Sequence, residues 1–414
     1  MESCNTESSL DLPLESLSLQ PFLQSLHKEQ WQEVRLGEIV DVKHGYAFAG
    51  KNITTEHTPN VLVTPGNFHI GGGFKSQKFK YFNGEIPKSF IFSTGDIIVT
   101  MTDLSKDGDT LGYSAKIPKD SEHIYLHNQR IGLLLFLRSD ICKDFIYWLL
   151  RTKNYQAFIV NSATGTSVKH TSPKLIGEYR FPLPPLTIQQ KIAEILSSFD
   201  DKIDLLHRQN KTLESLALTL FRHYFIDNPK RDEWEEKPLS EVAYFLNGLA
   251  CQKLPPRNDK DRLPVLKIKE LKEGISQASD WATSEIDSQY IVENGDVIFA
   301  WSASLMVKMW NGSRCVLNQH LFKVTSQVYP KWFYYFWCKY HLQDFIAIAN
   351  AHATTMGHIK RQDLDLAMCV IPDTQSLQTI DKEIAPLLQK ININSKQIQN
   401  LQAMRDMLLK AIFA

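Results

Sequence analysis

Two stretches of the chain carry apolar residues at a seven-residue spacing. Between Thr187 and about Ile226, Ile192, Phe199, Leu206, Leu213 and Leu220 form one row, and Leu196, Ile203, Asn210, Ala217 and Tyr224 form the other. A seam sustained for about five heptads predicts a long helix that needs an equally long partner. Pro182-Leu-Pro-Pro-Leu186 cannot be helical, Thr187 with Gln190 makes a capping-box pattern behind it, and Asn228-Pro229 ends the run. The C-terminal stretch has the same design, with Ile380, Leu387, Asn394, Leu401 and Leu408 beside Ile384, Ile391, Ile398, Arg405 and Ile412. A helix of about 35 residues spans about 50 Å. If the two pair antiparallel with Asn210 opposite Asn394, then Leu213 meets Ile391, Leu206 meets Ile398, Ile203 meets Leu401, Ala217 meets Leu387, and Phe199 falls near Arg405. One buried Asn layer fixes register at some cost in stability. The alternative is that each Asn faces solvent at the edge of the seam.

The rest of the chain repeats once. Trp31, Glu33, Leu36, Glu38 and Gly45 recur as Trp234, Glu236, Leu239, Glu241 and Gly248, at an offset of about 203 residues. Gly95-Asp96 answers Gly295-Asp296, Asn128-Gln129 answers Asn318-Gln319, and Phe181-Pro182 answers Ile371-Pro372. The offset shrinks to about 190 between the Gly-Asp and Asn-Gln pairs, so the first half carries a longer loop there. Each half predicts a short helix near its Trp and then several strands: Val61–Thr64, Ile97–Thr100 and Ile131–Phe136 in the first, Pro264–Ile268 and Val297–Ala300 in the second. Helical stretches follow at Lys143–Val160 and Pro330–Ala349. The aromatic run from Trp332 to Trp337 reads as a buried helix face rather than a platform for stacking bases.

Composition narrows the class. With 414 residues, 43% of them hydrophobic, and ordinary Gly and Pro content, the chain holds two or three folded domains. Forty-six basic residues balance 46 acidic ones, which argues against a protein that coats polyanions by bulk charge alone but leaves room for a local basic face. The balance is uneven along the chain. Residues 1–30 hold one basic and five acidic residues, residues 31–181 hold 18 and 14, and residues 231–372 hold 16 and 17. Six scattered cysteines with no Cys-x-x-Cys read as free thiols in a reducing compartment, with no zinc site. No run approaches the roughly 20 apolar residues needed to cross a bilayer. A soluble, cytoplasmic protein is expected, with residues 1–30 poorly ordered or loosely docked.

Catalytic signatures are missing. His69-Ile-Gly-Gly-Gly-Phe-Lys75-Ser76 departs from a phosphate loop at Phe74, where glycine is needed, and reads as a hairpin turn. There is no Gly-x-Ser-x-Gly, His-Glu-x-x-His or Gly-x-Gly-x-x-Gly, and no Asn/Asp-Pro-Pro-aromatic signature of an amino-methyltransferase. Asp96 and Asp296 read as turn residues and not as an acid pair.

Two divergent halves, each opening on Trp-x-x-x-x-Leu-x-Glu and holding a Gly-Asp-Ile/Val-Ile strand and an Asn-Gln pair, resemble the specificity subunit of type I restriction-modification systems. The stretch Pro182 to Leu196 and its continuation Phe199-Asp-Asp-Lys-Ile203 carry the resemblance best; the second copy, Ile371 to Ile384, is more diverged. The resemblance covers residues 31 to 414. It implies an α+β fold with two pseudo-repeated α/β target-recognition domains, separated by two long antiparallel coiled-coil helices. The expected segments are an N-terminal extension 1–30, domain one 31–181, a central spacer helix 182–230, domain two 231–372 and a C-terminal spacer helix 373–414. Each domain would read one half of a split, asymmetric site on double-stranded DNA. The helices would set the gap and dock two modification subunits, which carry S-adenosylmethionine and methylate adenine; restriction subunits would join to cleave. This chain would bind no cofactor and catalyse nothing itself. Two other readings stay open: a scaffold with two heads on a rod that binds only protein, or an enzyme with its site in the divergent loops 51–93 or 251–293.

Candidate DNA contacts fall in several places. Thr164, Thr166, Ser167, Lys169 and His170 precede the Pro-rich exit of domain one, and Thr354, Thr355, His358, Lys360 and Arg361 are their counterparts. Both stretches suit phosphate binding through backbone N–H and basic side chains, or are plain polar connections. Lys75, Lys78, Lys80 and Tyr81 make a basic, aromatic-laced stretch that is either a groove-facing hairpin or a solvated strand face. Gly45-Tyr-Ala-Phe48 and Asn247-Gly-Leu249 could also reach DNA, although Tyr46 and Phe48 fit a core. The Asn-Gln pair, shared by two domains that should read different sequences, suits a structural or phosphate role, which leaves base reading to Arg130 and His320. Overall neutrality predicts weak DNA binding by the chain alone, with more salt dependence from domain one.

Overall fold

The computed structural model describes residues 15–413 apart from 106, 166–167, 277 and 352–356. Two compact units make up the chain: Met1–Asp201 with Ala403–Ala414, and Lys202–Gln402. Within each unit the same mixed topology appears. The first has a four-stranded antiparallel sheet in the order Val40–His44, Ile131–Phe136, Ile97–Thr100, Ser114–Lys116, and the second has Tyr244–Asn247, Leu321–Thr325, Val297–Ala300, Met306–Met309. A second four-stranded sheet in each contains one parallel pair, Asn60–Leu62 with Ile124–Leu126 and Leu263–Leu266 with Cys315–Leu317. The strands from the apolar runs are buried on both faces, as Ile97–Thr100 and Val297–Ala300 show.

The segments after the two tryptophans are strands and not the short helices expected. Gln32–Arg35 pairs with Arg180–Leu183, and Glu235–Pro238 pairs with Met368–Ile371. The partner strand, distant in sequence, supplies ladder hydrogen bonds that override the local pattern. Only a turn of 3-10 helix at Leu36–Glu38 and a single turn at Leu239–Val242 remain helical. This pairing closes each domain just before its long helix. The expected helices at 143–160 and 330–349 are each broken in two, at Leu149/Lys153 and Tyr340/Leu342; Thr152 caps the second piece of the first by accepting from the Tyr155 N–H. In Lys331–Tyr340 every residue from Trp332 to Cys338 is buried. Tyr335 Oη donates to Glu214 at 2.6 Å and Trp332 Nε1 to Asp381 at 2.7 Å, so the aromatic run is core.

From Glu15 onward the extension is more firmly held than expected. A helix spans Glu15–Gln24, Phe22 and Leu26 are buried, Trp31 Nε1 donates to the Leu26 carbonyl at 2.9 Å, and Lys28 Nζ donates to the Ala411 carbonyl at 2.7 Å. Cys142, Cys251, Cys315, Cys338 and Cys369 are free thiols. Among the described residues no helix is long and apolar enough to cross a membrane.

The long helices are Leu186–Phe225 and Thr374–Phe413, each of 40 residues and therefore about 60 Å. The first starts one residue before Thr187, which lies inside its first turn. The second starts behind Asp373, whose carboxylate accepts from the Ser376 N–H and hydroxyl. Within the second unit they run antiparallel: Asn394 Nδ2 donates to Asn210 Oδ1 at 2.9 Å, and Tyr224 Oη donates to Glu383 at 2.9 Å. Asn394 is fully buried, and Asn210 also donates to Ser395 Oγ at 3.4 Å. The buried stripe departs from a strict heptad. Phe221 and Phe225 are fully buried where the pattern named Leu220 and Tyr224, which are half-buried. Likewise Leu388 is more buried than Leu387, and Met404 more than Arg405. For the two phenylalanines the cause is a third surface: they pack on Phe336, Phe333 and Trp337 of the domain, which pulls the stripe toward it.

Within the first unit Arg405 reaches Asp200 at 2.6 Å, and Arg151, stacked on Trp148, reaches the other Asp200 oxygen at 2.5 Å. Burial raises the Asp200 pKa, but the two guanidiniums outweigh it and hold the carboxyl below its usual value. A buried imidazole lies in the same unit. His127 is 1% exposed, its Nε2 is 2.9 Å from the Ile131 carbonyl, and its ring packs against Phe92 at 4.6 Å. Burial pulls its pKa down to about 4.

Asn210→Ala strands a buried Asn394 and should cost about 1–3 kcal/mol in urea unfolding, whereas the paired change of both residues to Leu should recover that loss; an unaltered midpoint for the single variant contradicts the buried layer. Asp200→Asn leaves two guanidiniums facing one neutral amide and should cost about 3 kcal/mol, measured the same way. A lowered histidine pKa means stability fully present above about pH 6.5, the unfolded value, and lost as pH falls toward 4. His127→Leu, the residue type at the matching Leu317, should flatten on the order of 2 kcal/mol of that decline, and an unchanged profile of melting temperature against pH sinks the assignment.

Candidate nucleic-acid interface

Both domains build one backbone frame at the end of the first sheet. In domain one the Tyr46 N–H donates to the His127 carbonyl at 2.8 Å, and the Gln129 N–H donates to the Tyr46 carbonyl at 2.9 Å. In domain two Leu249 does the same with the Leu317 carbonyl at 2.9 Å and the Gln319 N–H at 2.8 Å. The strands come so close that a Cβ on Gly45 would lie 2.0 Å from the Asn128 carbonyl oxygen, and one on Gly248 would lie 2.2 Å from that of Asn318. Glycine is therefore required at both positions. The Asn128 and Asn318 carbonyls also close tight turns onto the Ile131 and Leu321 N–H groups, at 2.9 and 3.0 Å. The Asn-Gln pair thus has a structural role in its backbone. Phe48 is core, whereas Tyr46 is 42% exposed beside this turn.

The residue after each pair is exposed on the frame: Arg130 in domain one and His320 in domain two. Their carbonyls accept from the Met101 N–H at 2.9 Å and the Trp301 N–H at 3.4 Å. On the far side, the Thr171 N–H donates to the Met101 carbonyl and the Ile359 N–H to the Trp301 carbonyl. His170 thereby pairs with Thr102, and His358 bridges to Ser302. The structure brings Arg130 and His170 to one strand end and His320 and His358 to the matching one. Thr102 Oγ1 lies 3.1 Å from His170 Nδ1, and Ser302 Oγ lies 3.3 Å from His320 Nδ1. The Trp301 ring contacts both imidazoles, with centroids 5.9 Å from His320 and 6.4 Å from His358.

The other candidates are placed as follows. Thr164 exchanges two backbone hydrogen bonds with His170, at 3.0 and 2.8 Å, and Lys169 is half-buried opposite Asp103. Thr166, Ser167, Thr354 and Thr355 lie outside the described residues. Lys360 and Arg361 are exposed at the start of the helix Arg361–Leu366, where Asp363 accepts from the Lys360 N–H at 2.6 Å. Lys80 and Tyr81 belong to the second sheet, and no hydrogen bond, ion pair or ring contact among the described residues joins Lys75, Lys78, Lys80 or Tyr81 to Arg130 or His170. Tyr81 is half-buried against His57 and Phe79, while Lys78 and Lys80 are exposed. The Gly-rich stretch before them is a turn, with His69 N–H bonded to the Gly73 carbonyl at 3.0 Å.

The longer loop of domain one is anchored on Asp103, which is 4% exposed. It accepts from the Ser105 N–H, the Thr110 N–H and the Thr110 hydroxyl at 2.6, 2.5 and 2.6 Å. Burial raises its pKa, yet these hydrogen bonds prevail and lower it. Asp96 and Asp296 accept from the Ser93 and Glu293 N–H groups, as turn residues do. Thr102, Ser302 and Trp301 join the strand ends with no local signal to mark them; only the offset of 200 residues between Thr102 and Ser302 hints at it. Among the described residues no group of three His, Cys, Asp or Glu side chains is placed to hold a metal ion.

Comparison with known proteins agrees with this two-fold design. The family model described as "Type I restriction modification DNA specificity domain" matches twice, over residues 28–215 and 231–403. The "Type I restriction enzyme MjaIX specificity subunit" of Methanocaldococcus jannaschii is 26% identical over 301 residues, covering 67% of this chain and 69% of that protein. The "Type I restriction enzyme EcoBI specificity subunit" of Escherichia coli is 21% identical over 428 residues, covering 95% and 86%. The fold is similar to that of the type I restriction-modification S subunit from M. genitalium, with a TM-score of 0.53 at 17% identity, covering 93% of this chain and 96% of that one. With most of its length matched by two copies of that model, the chain belongs to the type I restriction-modification DNA specificity family.

Proposed function

We propose that each domain reads one half of a bipartite, asymmetric site on duplex DNA. The observation that carries this reading is one backbone frame presenting two sets of side chains: Arg130 and His170 in one copy, His320 and His358 in the other, backed by the buried hydroxyls of Thr102 and Ser302. Two readers of unrelated sequences need this arrangement, with the scaffold held and the base-facing groups changed. Arg130 suits the O6 and N7 acceptors of guanine, and the imidazoles of His170, His320 and His358 suit base-edge or phosphate contacts. Lys75, Lys78, Lys80, Lys169, Lys360 and Arg361, with the hydroxyls of Thr164, Thr166, Ser167, Thr354 and Thr355, suit phosphate. The Asn210–Asn394 layer fixes the register of the paired helices, which set the gap between half-sites.

The same helices dock two modification subunits, which carry S-adenosylmethionine and methylate adenine, and restriction subunits join the assembly. This chain contributes recognition and no catalysis. Its neutral balance makes its own hold on DNA weak, with domain one, richer in basic residues, giving more of the salt dependence.

Co-expression with modification subunits, followed by sequencing of methylated adenines, should reveal a split motif with two unrelated halves; random or absent methylation despite complex formation contradicts the proposal. In the same complex, Arg130→Ala should relax one position of one half-site by about 1–3 kcal/mol of discrimination. Lys360→Ala should instead weaken binding to all sequences alike and lower the salt slope by about 1.

A further inference from the structure

Asn247 ends the outer strand of the first sheet of domain two, beside Phe322 of the next strand, which in turn pairs with Phe299. Two residues beyond Phe299, Trp301 stacks on Phe322 with ring centres 5.6 Å apart and planes at 27°. Its indole Nε1 is 3.2 Å from Asn247 Oδ1. An indole N–H can only donate, so the amide oxygen must face it and the amide cannot turn over without losing the bond. Asn247 is exposed, and its NH2 group is left on the side away from the indole. The side chain stands on the same strand ends as His320 and Ser302.

We propose that Asn247 is a specificity-determining residue of domain two, presenting an oriented NH2 donor to an acceptor on a base edge. The inference rests on the reading of this domain as a half-site reader. A free Asn offers donor and acceptor together and suits adenine; one whose oxygen is held by an indole favours the acceptors of guanine or thymine. Domain one has His44 before its Gly45 and Met101 in the place of Trp301, so it lacks this lock. The half-sites would then differ in chemistry at this position. A purely structural latch between sheet end and indole is the competing account.

Two variants in the complex with modification subunits separate them, read by sequencing methylated adenines at each position of the motif. Asn247→Asp keeps an acceptor for Trp301, so a latch survives, but it removes the donor. One position of the second half-site should then move from guanine or thymine toward cytosine by roughly tenfold, with the first half unchanged. A general weakening from the added charge does not alter such a position-resolved preference. Trp301→Phe frees the amide and should broaden the same position while leaving the others alone. If both variants keep the wild-type motif at every position, the assignment of Asn247 is overturned and the half-site reading stands. If the wild-type complex shows no split motif, the half-site reading itself fails.

Discussion

No side chain fits at Gly45 or Gly248, because the Asn128 and Asn318 carbonyls occupy the space a Cβ would need. That close approach, with the hydrogen bonds from Tyr46 to His127 and from Leu249 to Leu317, holds the end of the outer strand against the Asn-Gln turn. It places the residue after the Asn-Gln pair, and the strand end beside it, at a defined point on the surface. The backbone at those points is held by its own carbonyl and N–H groups, so it does not depend on which side chain stands there. A fold that must be held while its recognition residues vary is well served by this division of labour.

The long helices obey a different constraint. Asn210 pairs with Asn394 within their seam, and Asp200, beside the seam position Phe199, pairs with Arg405. The polar layers cost stability relative to apolar ones, but a shifted register would leave buried polar groups unpaired. The helices also belong to the domains: Phe221 and Phe225 complete the aromatic core around Trp337, and Arg151 ties domain one to Asp200.

Much of this is legible from pattern. The internal repeat, the apolar strands, the buried aromatic helix and the Asn210–Asn394 pairing all come from periodicities that local chain geometry imposes. What pattern does not show depends on distant partners. The strands after Trp31 and Trp234 are set by segments near residues 180 and 370, and the displacement of the stripe to Phe221 and Phe225 by a third packing surface. Arg130 and His320 stand out by chemistry. Trp301 and Ser302 do not, because nothing local places them beside His358 and His320, and Tyr81 proves to be part of a packed aromatic cluster.

A separate reader in each domain on a shared frame requires that the two half-sites be exchangeable one at a time. Exchanging residues 31–181 for the matching domain of another family member, and sequencing the adenines methylated by the assembled complex, tests it most directly. One half of the recognition motif should change while the other half and the gap stay as they were. A change in both halves, or in neither, would contradict it.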